Sequence, residues 1–107
     1  MNTQHLPKYP PTQMYVIHED EEFAWLEVSI EVLSELKIAH RISGSSYRSG
    51  ETVYIGEYVD LPIFMETWLM HYDRTPDDYR YFRQHCKNVG DGQCAYIRSL
   101  PRFSNED

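Results

Sequence analysis

From Glu21 to Leu36 the chain carries neither glycine nor proline, and this uninterrupted stretch constrains the fold more than any other. Its spacing predicts one helix. On a helical wheel Phe23, Trp25, Leu26, Val28, Ile30, Val32, Leu33 and Leu36 spread over roughly 220°, while Ala24, Glu27, Glu31, Ser34 and Glu35 fill the opposite arc. That apolar arc is much wider than the stripe one sheet needs. The segment is therefore expected to pack on two sides, against a sheet and against either another helix of the chain or a second molecule. Asp20 is the expected N-cap, and acids in the first turn suit the helix dipole.

Around this segment the pattern alternates between strand and helix. Met14, Tyr15, Val16 and Ile17 predict a buried strand over Gln13–His18. Ile38 and Ile42 mark a second strand over Lys37–Ile42, and the glycine- and serine-rich residues 43–50 read as a loop. Thr52–Val59 is rich in β-branched and aromatic residues, with Gly56 as a candidate bulge. Asp60-Leu61-Pro62 starts a helix that runs to Tyr72. A further helix starts at Thr75-Pro76 and runs to about Asn88, and a last strand covers Cys94–Leu100. The order β-α-β-β-α-α-β predicts an α+β, ferredoxin-like sandwich, with one antiparallel-rich sheet and helices on one face. Residues 13–102 form the single domain, 1–12 a proline-rich flexible arm and 103–107 a frayed tail.

Charge is distributed unevenly along this order. Up to residue 36 the acids are Glu19, Asp20, Glu21, Glu22, Glu27, Glu31 and Glu35 against Lys8, so this third holds −6 of the net −7. On the predicted helix Glu27, Glu31 and Glu35 stack along one face. Arg80, Arg83 and Lys87 form the matching basic stripe on the helix that begins at Thr75-Pro76. An acidic chain is poorly suited to nucleic-acid backbones. No apolar run approaches the roughly 18 to 20 residues of a membrane span. With no basic and apolar leader pattern and two cysteines, the expected setting is a reducing cytoplasm.

Motifs for chemistry are sparse. His71, His85, Cys86 and Cys94 do not have zinc-ligand spacing, so no metal is expected. No other cofactor motif is present, and neither a nucleophile elbow nor a phosphate-binding loop occurs. Tyr54 and Tyr58 share one face of their strand and would stand on an open sheet with Tyr15 or Tyr96. RNA-recognition modules stack bases on such a surface, but Glu51 and Glu57 replace the basic residues they need. The sequence therefore predicts a non-catalytic, protein-binding module. Its contact residues are Glu27, Glu31, Glu35, Arg80, Arg83, Lys87, Tyr54 and Tyr58, and its partner is a second copy or a basic protein engaged by nucleic-acid mimicry. The competing expectation is a small-ligand sensor or small enzyme with a site near His71, Tyr72 and His85.

Overall fold

The computed structural model describes residues 6–90 and 94–104. They form an α+β fold: one mixed, open sheet of five strands with four helices. The strands are β1 (Tyr15–Glu19), β2 (Ala24–Ser29), β3 (Tyr47–Ser49), β4 (Thr52–Gly56) and β5 (Cys86–Gly90). The helices are α1 (Ile30–Glu35), α2 (Leu61–His71), α3 (Tyr79–Gln84) and α4 (Cys94–Arg98). The sheet order is β3-β4-β2-β1-β5, antiparallel throughout except for the β1–β5 pair, so the strand order is not ferredoxin-like.

The largest departure from the sequence expectation is the long helix over Glu21–Leu36. Its first half is strand β2 and only its second half is helix α1. Asp20 does capture backbone N–H groups, accepting from Glu22 and Phe23 at 2.8 Å each. An aspartate that accepts from residues two and three ahead serves a tight turn as well as a helix start, and here it closes the β1–β2 hairpin. The wide apolar arc has a matching cause. Ala24, Leu26 and Val28 face one side of the sheet and Trp25 the other, and all four are buried. A strand buried on both faces has no polar stripe, and on a helical wheel it reads as an over-wide arc. The breadth that implied a second packing partner is taken up within the chain.

Three other segments differ. Ile38 and Ile42 are buried as expected, but the residues between them, Ala39–Arg41, form a 3-10 turn instead of a strand. The helix expected from Thr75-Pro76 to about Asn88 begins only at Tyr79, stops at Gln84 and gives way to β5, whose edge pairs with β1. Cys94–Arg98 is helical where a strand was expected. The helix from Leu61 ends at His71, one residue from its expected end.

The sheet separates two cores. Helices α1, α2 and α3 cover one face, where Ile17, Leu26, Ile55, Phe64, Trp68, Leu69 and Phe82 are essentially solvent-free. Helix α4 lies on the other face, packing Cys94 and Ile97 on Trp25 and Tyr54. Helices on both faces, not one, are thus a second departure from the expected sandwich. Cys86 and Cys94 lie in these two different cores and are not joined to each other.

Candidate functional site

The second face of the sheet carries a groove of about 300 Å³ between α4 and the segment that leaves β4. Its floor is set by the register pair Trp25↔Gly56. Gly56 is not a bulge but a place of close approach: a Cβ there would lie 2.7 Å from the Ser45 carbonyl oxygen. The Ser43–Ser46 segment is drawn over this point by Asp60, which is fully buried. Its carboxylate accepts from the Ser43 N–H (3.0 and 3.1 Å), the Ser43 hydroxyl (2.9 Å) and the Ser46 hydroxyl (2.7 Å). The Ser46 oxygen in turn accepts from the Gly56 N–H at 2.9 Å. Asp60, expected as a helix N-cap, makes no capping bond to α2 and holds this loop instead.

Four aromatic rings run along the groove. Tyr58 meets Phe23 edge-on at 6.0 Å between centroids, Phe23 lies 5.9 Å from Trp25, and Trp25 lies 6.4 Å from Tyr47. Phe23 and Tyr58 are 41% and 69% exposed. Two arginines attend the rings. Arg98 stands 5.4 Å over Phe23 and 5.1 Å over Trp25 and donates to Asp20 at 2.7 Å. Arg102 stands 5.3 Å over Tyr47 and donates to the Gly44 carbonyl at 2.8 Å. The Phe23 and Glu22 N–H bonds, then Arg98, hold the Asp20 carboxyl down at about 2, and the bond to Asp20 raises the Arg98 pKa. Asp20 therefore ties the hairpin turn to α4 as a stable ion pair. At the Tyr58 end, the tyrosine hydroxyl donates to the Glu22 carbonyl oxygen at 3.2 Å, and Glu21, Glu22 and Glu57 are all exposed.

The acidic stripe does not exist as a stripe. Glu27 lies on β2 and accepts from His18 Nε2 at 2.7 Å, while Glu31 and Glu35 lie on α1. The basic stripe is divided too, with Arg80 and Arg83 exposed on α3 and Lys87 exposed on β5. Tyr54 and Tyr58 are not a pair on an open sheet. Tyr54 is buried beneath α4, edge-on to Tyr96, and burial, Glu27 and Tyr96 raise its pKa. Tyr58 alone of the eight expected contact residues lines the groove.

The residues of the competing site do come together. Tyr72 lies 4.6 Å and His85 5.9 Å from Trp68, and His71 lies 4.8 Å from Tyr72. Residues 6–10 of the arm form one wall of a cavity of about 470 Å³ whose other wall includes His71, Tyr72, Arg74 and Tyr81. The arm is held where His85 Nδ1 donates to the Pro11 carbonyl at 3.1 Å. The Tyr72 hydroxyl, on the wall of this cavity, is buried without a hydrogen-bond partner among the described residues. Among the described residues no three His, Cys, Asp or Glu side chains gather as a metal site, and no helix is long and apolar enough to cross a membrane.

The groove residues Phe23, Trp25, Tyr47, Arg98 and Arg102 escape sequence reasoning because they come from three distant segments. One signal was available: Leu26 to Ser29 alternates between apolar and polar residues, and extending that period of two backwards places Trp25 on one sheet face with Glu27. No protein-family model, curated protein or solved structure matches this chain.

Proposed function

We propose that this protein is a non-catalytic binding module that takes an extended segment of another protein into the aromatic groove. The ring ladder carries the reading. Its steps of 5.9 to 6.4 Å are close to the roughly 6.6 Å that separates alternate side chains of an extended strand. Alternate residues of a bound segment can therefore meet the exposed Tyr58 and Phe23 rings, with buried Trp25 as the floor beneath. Aromatic residues dominate such interfaces because they give a large contact area at low entropic cost. The polar groups of the groove favour recognition over catalysis: Arg98 is committed to Asp20 and Arg102 to a carbonyl, so both act as fixed walls.

Selection from a displayed random-peptide library on the immobilised protein tests this, followed by calorimetry of the enriched peptides. The double variant Phe23→Ala/Tyr58→Ala removes two exposed rings without opening the core. It is expected to weaken binding by more than about tenfold, as truncating two hot-spot aromatics does. Enriched peptides that bind the double variant as well as the parent protein would place recognition elsewhere.

A second reading rests on the unpartnered Tyr72 hydroxyl in the wall of the cavity beneath the arm. Buried donors and acceptors of this kind are usually satisfied, so a small polar ligand at the Tyr72 cavity is the alternative. A metabolite screen by thermal shift separates the two: a concentration-dependent rise that Tyr72→Phe abolishes supports the cavity.

A further inference from the structure

We propose that the segment taken by the groove is basic, with a lysine or arginine side chain seated on Tyr58. This rests on the peptide-binding reading above and names the chemistry of the occupant. Three of the four ladder rings already have a cation of this chain beside them: Arg98 serves Phe23 and Trp25, and Arg102 serves Tyr47. Tyr58 is the most exposed of the four, and among the described residues no guanidinium or ammonium stands over it. A partner's cation on Tyr58 completes the series that the chain itself builds along the other three.

Acidic residues flank Tyr58 and favour a cation there. Glu57 precedes it in the groove wall, and its hydroxyl is fixed to the backbone of Glu22, beside exposed Glu21. Carboxylates next to an aromatic face bind a guanidinium or ammonium from two directions, by ion pairing and through the ring quadrupole. At the far end of the ladder the Arg102 guanidinium stands over Tyr47 and donates to a backbone carbonyl, and its positive charge repels a second cation there. The groove therefore has a polarity: the basic residue lies at the Tyr58 end and a neutral or acidic residue at the Tyr47 end. The net charge of −7 adds long-range attraction for a basic segment.

The test uses fluorescence anisotropy with three synthetic decamers of alternating glutamine and proline that differ only in one end residue, which is arginine, glutamine or glutamate. The arginine peptide is expected to bind about tenfold tighter than the glutamine one, and more weakly as salt rises, while the glutamate peptide does not bind. Glu57→Lys and Tyr58→Ala, both at exposed positions, are each expected to weaken the arginine peptide by about tenfold with an unchanged melting temperature. Equal binding of the arginine and glutamine peptides, both lost in Phe23→Ala/Tyr58→Ala, overturns the charge assignment and leaves the groove reading intact. Failure of every library-selected peptide to need the groove overturns the groove reading itself. Concentration-dependent self-association in light scattering that Tyr58→Ala abolishes overturns the assignment to another protein, because the occupant is then a second copy.

Discussion

Replacing Asp60 should damage both stability and recognition, although it lies outside the groove. Its carboxylate is fully buried and is the shared acceptor for the Ser43 N–H, the Ser43 hydroxyl and the Ser46 hydroxyl. In Asp60→Ala the Ser43 backbone donor has no rotation open to it, and a stranded buried donor costs about 1–3 kcal/mol. The Ser46 hydroxyl, in a fully buried residue, loses its acceptor at a similar cost, whereas half-buried Ser43 can turn its hydroxyl to water. Removing a buried carboxylate also relieves its own desolvation, which offsets part of the loss. The net expectation is about 3 kcal/mol of destabilisation, a large share of the roughly 5–15 kcal/mol that holds a domain together. Asp60→Asn keeps the shape and one acceptor oxygen but turns an N–H₂ toward these donors, so about 1.5 kcal/mol is expected. Urea unfolding followed by tryptophan fluorescence reads both, since a change in midpoint at constant m-value is a change in stability. Because Ser45 and Tyr47 sit on the held segment, the Asn variant should also bind selected peptides more weakly while still folded. An Asp60→Ala cost below about 1 kcal/mol, or equal costs for both variants, would refute this account of the loop.

Three further outcomes follow from the same geometry. Gly56→Ala places a Cβ 2.7 Å from the Ser45 carbonyl, so about 1–3 kcal/mol of destabilisation and a displaced groove wall are expected, checked by urea unfolding and peptide titration. Burial raises the Tyr15 pKa and pushes both Tyr72 and Cys86 up to about 12. Groups whose pKa rises on folding stabilise fully below their unfolded values and lose that contribution as pH climbs through the folded ones, so circular dichroism should show alkaline unfolding between about pH 9 and 12. An unfolding midpoint that Tyr15→Phe and Tyr72→Phe leave in place would contradict it. Asp20 has the opposite sign: its contribution is present above its unfolded value near 3.8 and is lost as pH falls to about 2. Carboxyl NMR should find a midpoint near 2 that moves only part of the way to 3.8 in Arg98→Ala, because the Phe23 and Glu22 N–H bonds outrank the arginine.

Sequence pattern carries far where one local signal decides the outcome. The strand near Tyr15, the strand beginning at Thr52 and the helix after Asp60-Leu61-Pro62 are all in place, each marked by β-branched residues or by proline in a first turn. The pattern misleads where two structures share it. Phe23 to Val28 is apolar enough to satisfy a helix wheel, and only tertiary burial on both faces makes it a strand. Arg83 and Lys87 keep helical spacing although the helix ends between them, since pairing of Cys86–Gly90 with β1 outweighs continuation. The groove is less legible still: the chain reaches Arg98 and Arg102 long after Phe23, and no periodicity links them. His71, Tyr72 and His85 were found because their spacing follows α2 and α3, which pack together beneath the arm.

The acidic first third of the chain takes on a different meaning in this fold. As a helix it would show Glu27, Glu31 and Glu35 as one charged face, but as a hairpin it divides them. Glu27 is paired with His18 on the sheet, and Glu31 and Glu35 follow α1. What remains together is the turn, where Asp20 fixes Phe23 through its backbone N–H and Arg98 through an ion pair. One side chain thereby sets the position of a ladder ring and of the cation above it. Glu22 also acts on Arg98 from this turn, whereas Glu21 and Glu57 are exposed chain neighbours of Glu22 and Tyr58. Charge that reads as a helical stripe is thus divided in space between a carboxylate that builds the groove and carboxylates that face its open end. Neutralising Asp20 should therefore loosen the groove for every peptide, whereas neutralising Glu21 and Glu57 should alter only its preference for basic ones. Peptide titrations of Asp20→Asn and of Glu21→Gln/Glu57→Gln separate the two roles, and the same loss across arginine and glutamine peptides in both variants would show that the division is wrong.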